Sequence, residues 1–161
     1  MSADRPLDAA ERTTIELVAG KKSSGEPVYE QIRVDVLGEN RYRLVASPGL
    51  VLGIAAGDEI RPTGEGEFEV LSRGGNVAVQ FYAQPQVGAD VSALTHALQK
   101  LGGRLDGHEK YLWVFTVPVA AGFPAIEDAL NAFQAKNPGS EWIYGNVYDP
   151  DDEETPLGWW E

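Results

Sequence analysis

The sequence predicts an α+β fold: an N-terminal antiparallel β-sheet or small barrel that continues into a ferredoxin-like βαββαβ lobe with two helices on one face. Three observations carry this expectation. Short alternating segments rich in β-branched residues, punctuated by turn residues, fill the chain as far as Tyr82. After Gly88 the apolar period changes from two to about three and a half, the period of a helix. Two such helical stretches then alternate with segments of strand character. The 18 glycines and 10 prolines fit a chain that turns often.

Residues 1–12 show no usable period and read as a loose leader. Thr13 to Ala19 is the first strand, expected to turn at Gly20. Val28 to Leu37 alternates cleanly, with Val28, Ile32, Val34 and Val36 on one face against Gln31, Arg33 and Asp35 on the other. Gly38-Glu39-Asn40 forms a hairpin loop, and Arg41 to Ala46 returns. Ser47-Pro48-Gly49 ends that strand because proline has no amide hydrogen to donate to a ladder. A short strand over Glu59 to Arg61 follows Gly57-Asp58, and Glu67 to Ser72 places Phe68 and Val70 inward. Arg73-Gly74-Gly75-Asn76 reads as a hairpin, leading to a strand over Asn76 to Tyr82 that belongs to both lobes.

In the second lobe, Asp90 or Ser92 caps a helix with Val91, Leu94, Leu98 and Leu101 on one stripe, stopped by Gly102-Gly103. Arg104 to Asp106 pairs with Tyr111 to Val117 through a turn at Gly107; the latter is apolar enough for a strand covered on both faces. Pro124 opens a helix to Lys136 with Ile126, Ala129, Leu130 and Phe133 on its stripe, and Glu141 to Tyr148 is the last strand. The resulting division is leader 1–12, antiparallel lobe 13–75, α+β lobe 76–148 and an acidic, tryptophan-containing tail 149–161.

Composition excludes whole classes of chemistry. Without cysteine there is no disulfide, thiolate metal site or cysteine nucleophile. The first twenty residues lack the basic start and apolar stretch of an export signal, and no run reaches the roughly eighteen apolar residues of a membrane span, so the expected compartment is the cytoplasm. A formal charge of −12 argues against nucleic acid or an anionic membrane as partner and favours a cationic protein.

Tyr42-Arg43-Leu44, Ser47-Pro48, Gly57-Asp58, Phe68 and Arg73-Gly74-Gly75-Asn76 before an alternating strand together resemble the bacterial family named domain of unknown function 4265. The resemblance runs over roughly residues 28 to 148 and rests on turn and strand residues. It implies no reaction, and it marks Asp58, Arg73 and Asn76 as family-pattern positions.

No catalytic set is legible. His96 falls on the polar side of its helix and His108 in a polar turn, so both are expected in solvent and no metal site is expected. Ser47 has no Gly-x-Ser-x-Gly elbow, and Gly49, Gly53 and Gly57 match no nucleotide-binding spacing. Asp58-Glu59, Glu65, Glu67 and Glu69 read as the wet face of a hairpin. A buried carboxylate beside His96, His108 or Arg73 would reopen the case for an enzyme, such as a hydrolase.

The most distinctive functional signal is the tail, where Asp149, Asp151, Asp152, Glu153, Glu154 and Glu161 stand with Trp159 and Trp160 and no basic residue. Two arrangements are open: a docking surface of acids and aromatic anchors, or tryptophans folded back over the sheet. The expected function is therefore a non-enzymatic protein-binding module without a cofactor, of the immunity type that neutralises a cationic bacterial toxin such as a nuclease. The alternative is a sensor or regulatory domain holding a small molecule between the lobes.

Overall fold

In the computed structural model residues 11–84 and 91–161 are described, so the leader before Glu11 and the capping position Asp90 lie outside the described residues. The chain is a mixed α+β protein, mostly strands, with two antiparallel sheets and two helices. The first sheet is a meander of β1 (Arg12–Lys21), β2 (Pro27–Gly38), β3 (Arg41–Leu44), β4 (Glu59–Gly64) and β5 (Glu67–Ser72), paired in that order. The second contains β6 (Asn76–Tyr82), β7 (Arg104–Glu109), β8 (Leu112–Pro118) and β9 (Glu141–Tyr144), in the order β7-β8-β6-β9. Helix α1 (Val91–Gln99) joins β6 to β7, and α2 (Phe123–Lys136) joins β8 to β9.

The alternation in β2 sets the first core, where Ile32 and Val34 meet Leu17, Leu44 and Ile60. The sheet curls until its two ends touch. The β4–β5 turn reaches β1, where the Val18 amide donates to the Gly66 carbonyl at 3.0 Å. Gly66 has to be glycine, because a Cβ there would sit 2.5 Å from Val18 Cγ2. The preceding Glu65 is held at φ 55°, a left-handed conformation that costs a non-glycine residue about 1 kcal/mol. Glu65→Asn at this turn is therefore expected to raise stability by about 0.5–1 kcal/mol, read as a higher denaturation midpoint at unchanged m-value.

The second core lies on one face of the second sheet. Val77, Val79 and Phe81 from β6 and Trp113, Phe115 and Val117 from β8 meet Val91, Leu94 and Leu98 of α1 and Ile126, Leu130 and Phe133 of α2. Each fully buried large side chain contributes on the order of 2 kcal/mol, so these stripes hold both helices to the sheet.

Several elements end elsewhere than the sequence suggests. β1 runs through Gly20, with Ala19 as the extra residue of a bulge, and turns at residues 22–26. β3 stops at Leu44, and residues 45–58 form a long irregular segment whose Val51 and Ile54 fill the first core. Arg73-Gly74-Gly75-Asn76 is a crossover between sheets, not a hairpin, and among the described residues β6 pairs only with β8 and β9. β7 extends past Gly107 to Glu109, with Asp106 as the extra residue of a bulge. β9 ends at Tyr144, because beyond it a side chain takes over the ladder: Asn146 accepts from the Ala78 amide at 2.8 Å and donates to the Asn76 carbonyl at 2.9 Å.

Candidate functional site

Asp58, at the end of the irregular segment, and Arg73 and Asn76, in the crossover, converge where the two meet. Asp58 is 1 % exposed, so its expected place on a wet hairpin face is overturned: the segment before β4 folds over it. One oxygen accepts the Gly74 amide at 2.8 Å; the other accepts the Ala55 amide at 2.9 Å and Arg73 Nη1 at 3.3 Å. Burial pushes the Asp58 carboxyl up from its ordinary value of 3.8, while the Gly74 and Ala55 amides and the Arg73 charge pull it back. Arg73 also donates to the Gly53 carbonyl at 2.7 Å and lies 5.8 Å from the centre of the Trp159 ring. Asn76 donates to the Ala56 carbonyl at 2.8 Å. These residues lock the segment to the second sheet. Asp58 is the buried acid beside Arg73 that a carboxylate enzyme would need, but both its oxygens are engaged by protein donors and it lines none of the cavities described below.

A second lock was not legible in the sequence. Asp106 Oδ2, turned inward by the bulge, accepts the Ser47 amide at 2.8 Å and the Thr116 hydroxyl at 2.5 Å. Ser47 Oγ accepts the Ala56 amide at 3.0 Å and, with Thr116 donating to Asp106, gives its own proton to Thr116 Oγ1 at 2.6 Å. Ser47 is thus a structural hydroxyl. Glu30 takes the amides of Gly49, Leu50 and Val51 at 2.8, 2.9 and 2.8 Å. Its signal was a carboxylate on the inward parity of β2, between Val28 and Ile32. The cleft between the sheets, lined by Glu30, Ser47, Asp106 and His108 among others, holds only 160 Å³.

The tail folds back. Tyr148 bridges to Pro156, the Leu157 amide donates to Val147, and Trp159 Nε1 donates to the Asn146 carbonyl at 2.8 Å. Trp159 and Trp160 pack half-buried against the second core, with Trp160 edge-on to Phe123 at 5.2 Å. Asp151, Asp152, Glu153 and Glu154 stay exposed, Asp149 is half-buried, and Glu161 is exposed at the end. Asp152 organises the turn by accepting the Glu154 and Thr155 amides and the Thr155 hydroxyl, the last at 2.6 Å. The Thr155 hydroxyl, ahead of those amides, lowers the Asp152 carboxyl from 3.8 to about 2. Because the folded value lies below the unfolded one, this turn's contribution is present above pH 3.8 and fades as pH falls through about 2. A carboxyl-carbon titration should place Asp152 near 2, with the Thr155 amide moving in step, and Thr155→Val should return it towards 3.8.

Between the tail, β9 and α2 lies a groove of 410 Å³ whose wall is Trp142, Tyr144, Tyr148, Leu52 and Pro150, with Glu127 and Glu153 at its edges. A second depression of 220 Å³, reaching to Trp160, shares Glu127, Tyr144 and Tyr148 with it. Tyr144 donates to Glu127 at 2.9 Å, and Trp142 Nε1 donates to Asn131 at 3.0 Å, so both rings are held in place. Burial, reinforced by Glu127, pushes the Tyr144 hydroxyl well above its ordinary value and keeps it a donor. Among the described residues neither Glu127 nor Glu153 forms an ion pair. A third cavity, 390 Å³ between the helices, is lined by four alanines with Leu94, Phe133, Lys136 and Asn137.

His96 and His108 are exposed; His108 stacks on Trp113 at 5.1 Å, in strand β7 rather than in a turn. Glu65, Glu67 and Glu69 are exposed as expected. Among the described residues no group of three or more His, Asp or Glu is placed to hold a metal ion. No helix among them is long and apolar enough to cross a membrane.

The model of the family described as domain of unknown function DUF4265 matches residues 30–140, more than half of the chain. The chain belongs to that family. The match spans β2 through α2 and takes in Asp58, Arg73 and Asn76, whereas the acidic tail lies beyond it. No curated protein gives a significant match. A solved structure, a novel crystal structure of a hypothetical protein from Neisseria gonorrhoeae, is similar with a TM-score of 0.63 and 10% sequence identity. The similarity covers 84% of this chain and 94% of that one, and at that identity it speaks for the fold alone.

Proposed function

We propose that this DUF4265 protein is a non-enzymatic, acidic protein-binding module of the immunity type, which masks the basic site of a cationic bacterial toxin such as a nuclease. The observation that carries the reading is the fixed presentation of the tail acids. Asp152 shapes their turn and Trp159 and Trp160 anchor its far end, so Asp151, Glu153 and Glu154 stand exposed on an ordered element. Acids held in place lose less freedom on binding than acids on a loose tail, and carboxylates arrayed this way imitate a phosphate backbone. The acids make the contact; the tryptophans hold them there. Neither cofactor, nucleic acid nor membrane has a part in this reading, and the protein works in the cytoplasm.

The second-sheet region is read as ferredoxin-like, a reading supported by the strand order β7-β8-β6-β9, its antiparallel pairing and the two helical connections. The interlobe sensor is disfavoured because its cleft, at 160 Å³, is smaller than the roughly 300–1,000 Å³ of typical small-molecule sites.

The test is affinity capture from the native cell extract at low salt, using the full chain as bait. A basic protein should be retained and released by added salt, and if it is a nuclease, stoichiometric addition of the chain should suppress its cleavage of nucleic acid. Retention of no basic protein, or a retained nuclease that stays fully active, would contradict the proposal.

A further inference from the structure

We infer that the groove between α2, β9 and the tail is a receptor for one arginine side chain of the basic partner, a site that deepens, and rests on, the protein-binding reading above. The chemistry of its walls selects that group. Trp142, Tyr144 and Tyr148 offer aromatic surface, and Tyr148 is 41% exposed, open to an incoming group. Trp142 and Tyr144 meet edge to face at 5.0 Å and are fixed by Asn131 and Glu127, so the cage is set before anything binds.

Glu127 spends one carboxylate oxygen on Tyr144 and leaves the other without a protein partner among the described residues. Glu153 is held at the rim in a left-handed conformation, φ 56°, by its own amide donating to the Asp149 carbonyl at 2.7 Å. Among the described residues no lysine or arginine lines the groove, so its charge is left for an incoming cation. Two carboxylates flanking aromatic walls suit a planar cation that stacks and donates in the same plane. That is guanidinium, whose five donors and weak hydration distinguish it from a compact, strongly hydrated ammonium. The 410 Å³ volume accommodates it together with its methylene stem. Asp152 and Glu154 flank Glu153 in the turn and add to the negative field at the entrance.

The test titrates the full chain with N-acetyl-arginine amide at low salt, following the Trp142 indole and the amides of residues 127, 144, 148 and 153 by heteronuclear NMR. Saturable shifts at these positions are expected, with a Kd on the order of millimolar for so small a probe. N-acetyl-citrulline amide, the neutral isostere, should bind at least about tenfold more weakly, a difference one charge-assisted contact supplies. N-acetyl-lysine amide should also be weaker. The Glu127→Gln/Glu153→Gln protein keeps an acceptor for Tyr144 and should lose the preference for arginine over citrulline with its melting temperature unchanged. Absent saturation, equal binding of citrulline, or lysine equal to arginine overturns the assignment. The double variant also separates the two claims: if it fails with arginine amide yet retains the captured basic protein at full affinity, the groove is not the docking point while the acidic-module reading stands.

Discussion

Arg73→Met is expected to destabilise the protein by about 3–5 kcal/mol at pH 7, the range for breaking one side of a buried ion pair. The guanidinium is one of three donors to Asp58, whose side chain is 1% exposed, and it also ties the Gly53 carbonyl. Without it, Asp58 keeps two amide bonds but loses the only cation among the described residues that offsets its burial. The effect should depend on pH with a definite sign. Asp58 already titrates above its ordinary 3.8 through desolvation, and removing Arg73 raises it further. A carboxyl whose folded value exceeds its unfolded value stabilises fully below the unfolded value and loses that contribution as pH rises through the folded one. The variant should therefore recover stability relative to the wild type as pH falls from 7 towards 4. Chemical denaturation across that range measures it; a deficit independent of pH would mean that the Arg73–Asp58 pair is not what the substitution breaks.

Gly74→Ala is expected to cost about 3 kcal/mol or more, the upper end for overpacking a site that cannot relax. A Cβ at Gly74 would stand 2.5 Å from the Gly57 carbonyl carbon, 2.6 Å from its oxygen and 2.7 Å from its Cα, all backbone atoms. Opening that contact also strains the Gly57 amide's bond to the Leu44 carbonyl, 2.9 Å, and the Gly74 amide's bond to Asp58. Gly75 is the informative control. It adopts φ +82° but has nothing within 4 Å of a Cβ, so Gly75→Ala should carry only the conformational cost of about 1–2 kcal/mol. Equal losses at the two positions would refute close approach of the crossover to Gly57 as the reason for the double glycine.

Much of the architecture was legible because it follows from period. The stripe of Ile126, Leu130 and Phe133 and the alternation of Ile32 and Val34 each state which face is buried, and those residues form the two cores. Interruptions of period were harder to read. The Asp106 bulge adds one residue to a strand without changing its composition, and Asn146 replaces a strand with its own side-chain amide. Asp58, Arg73 and Asn76 were visible as pattern positions, but their meeting depends on a fourteen-residue segment, 45–58, with no regular structure to extrapolate from. The groove was hidden for a similar reason: Glu127 reads as one polar residue of a helix, Trp142 and Tyr144 as one face of a strand, and Glu153 as one tail acid among several. Only the fold-back of the tail brings them to one place.

Under the proposed function, a basic partner recognises the acidic face built by the tail and the β9 groove, and not net charge as such. The most direct measurement compares the captured partner's affinity for two variants of equal charge. One has Asp151, Glu153 and Glu154 changed to their amides; the other has Glu16, Glu39 and Glu67, exposed on the strands and a turn of the first sheet, changed likewise. The prediction is a loss of at least about a hundredfold in the first and less than about threefold in the second, with the first also losing most of the salt dependence. Equal loss in both variants, or a loss confined to the second, would contradict it.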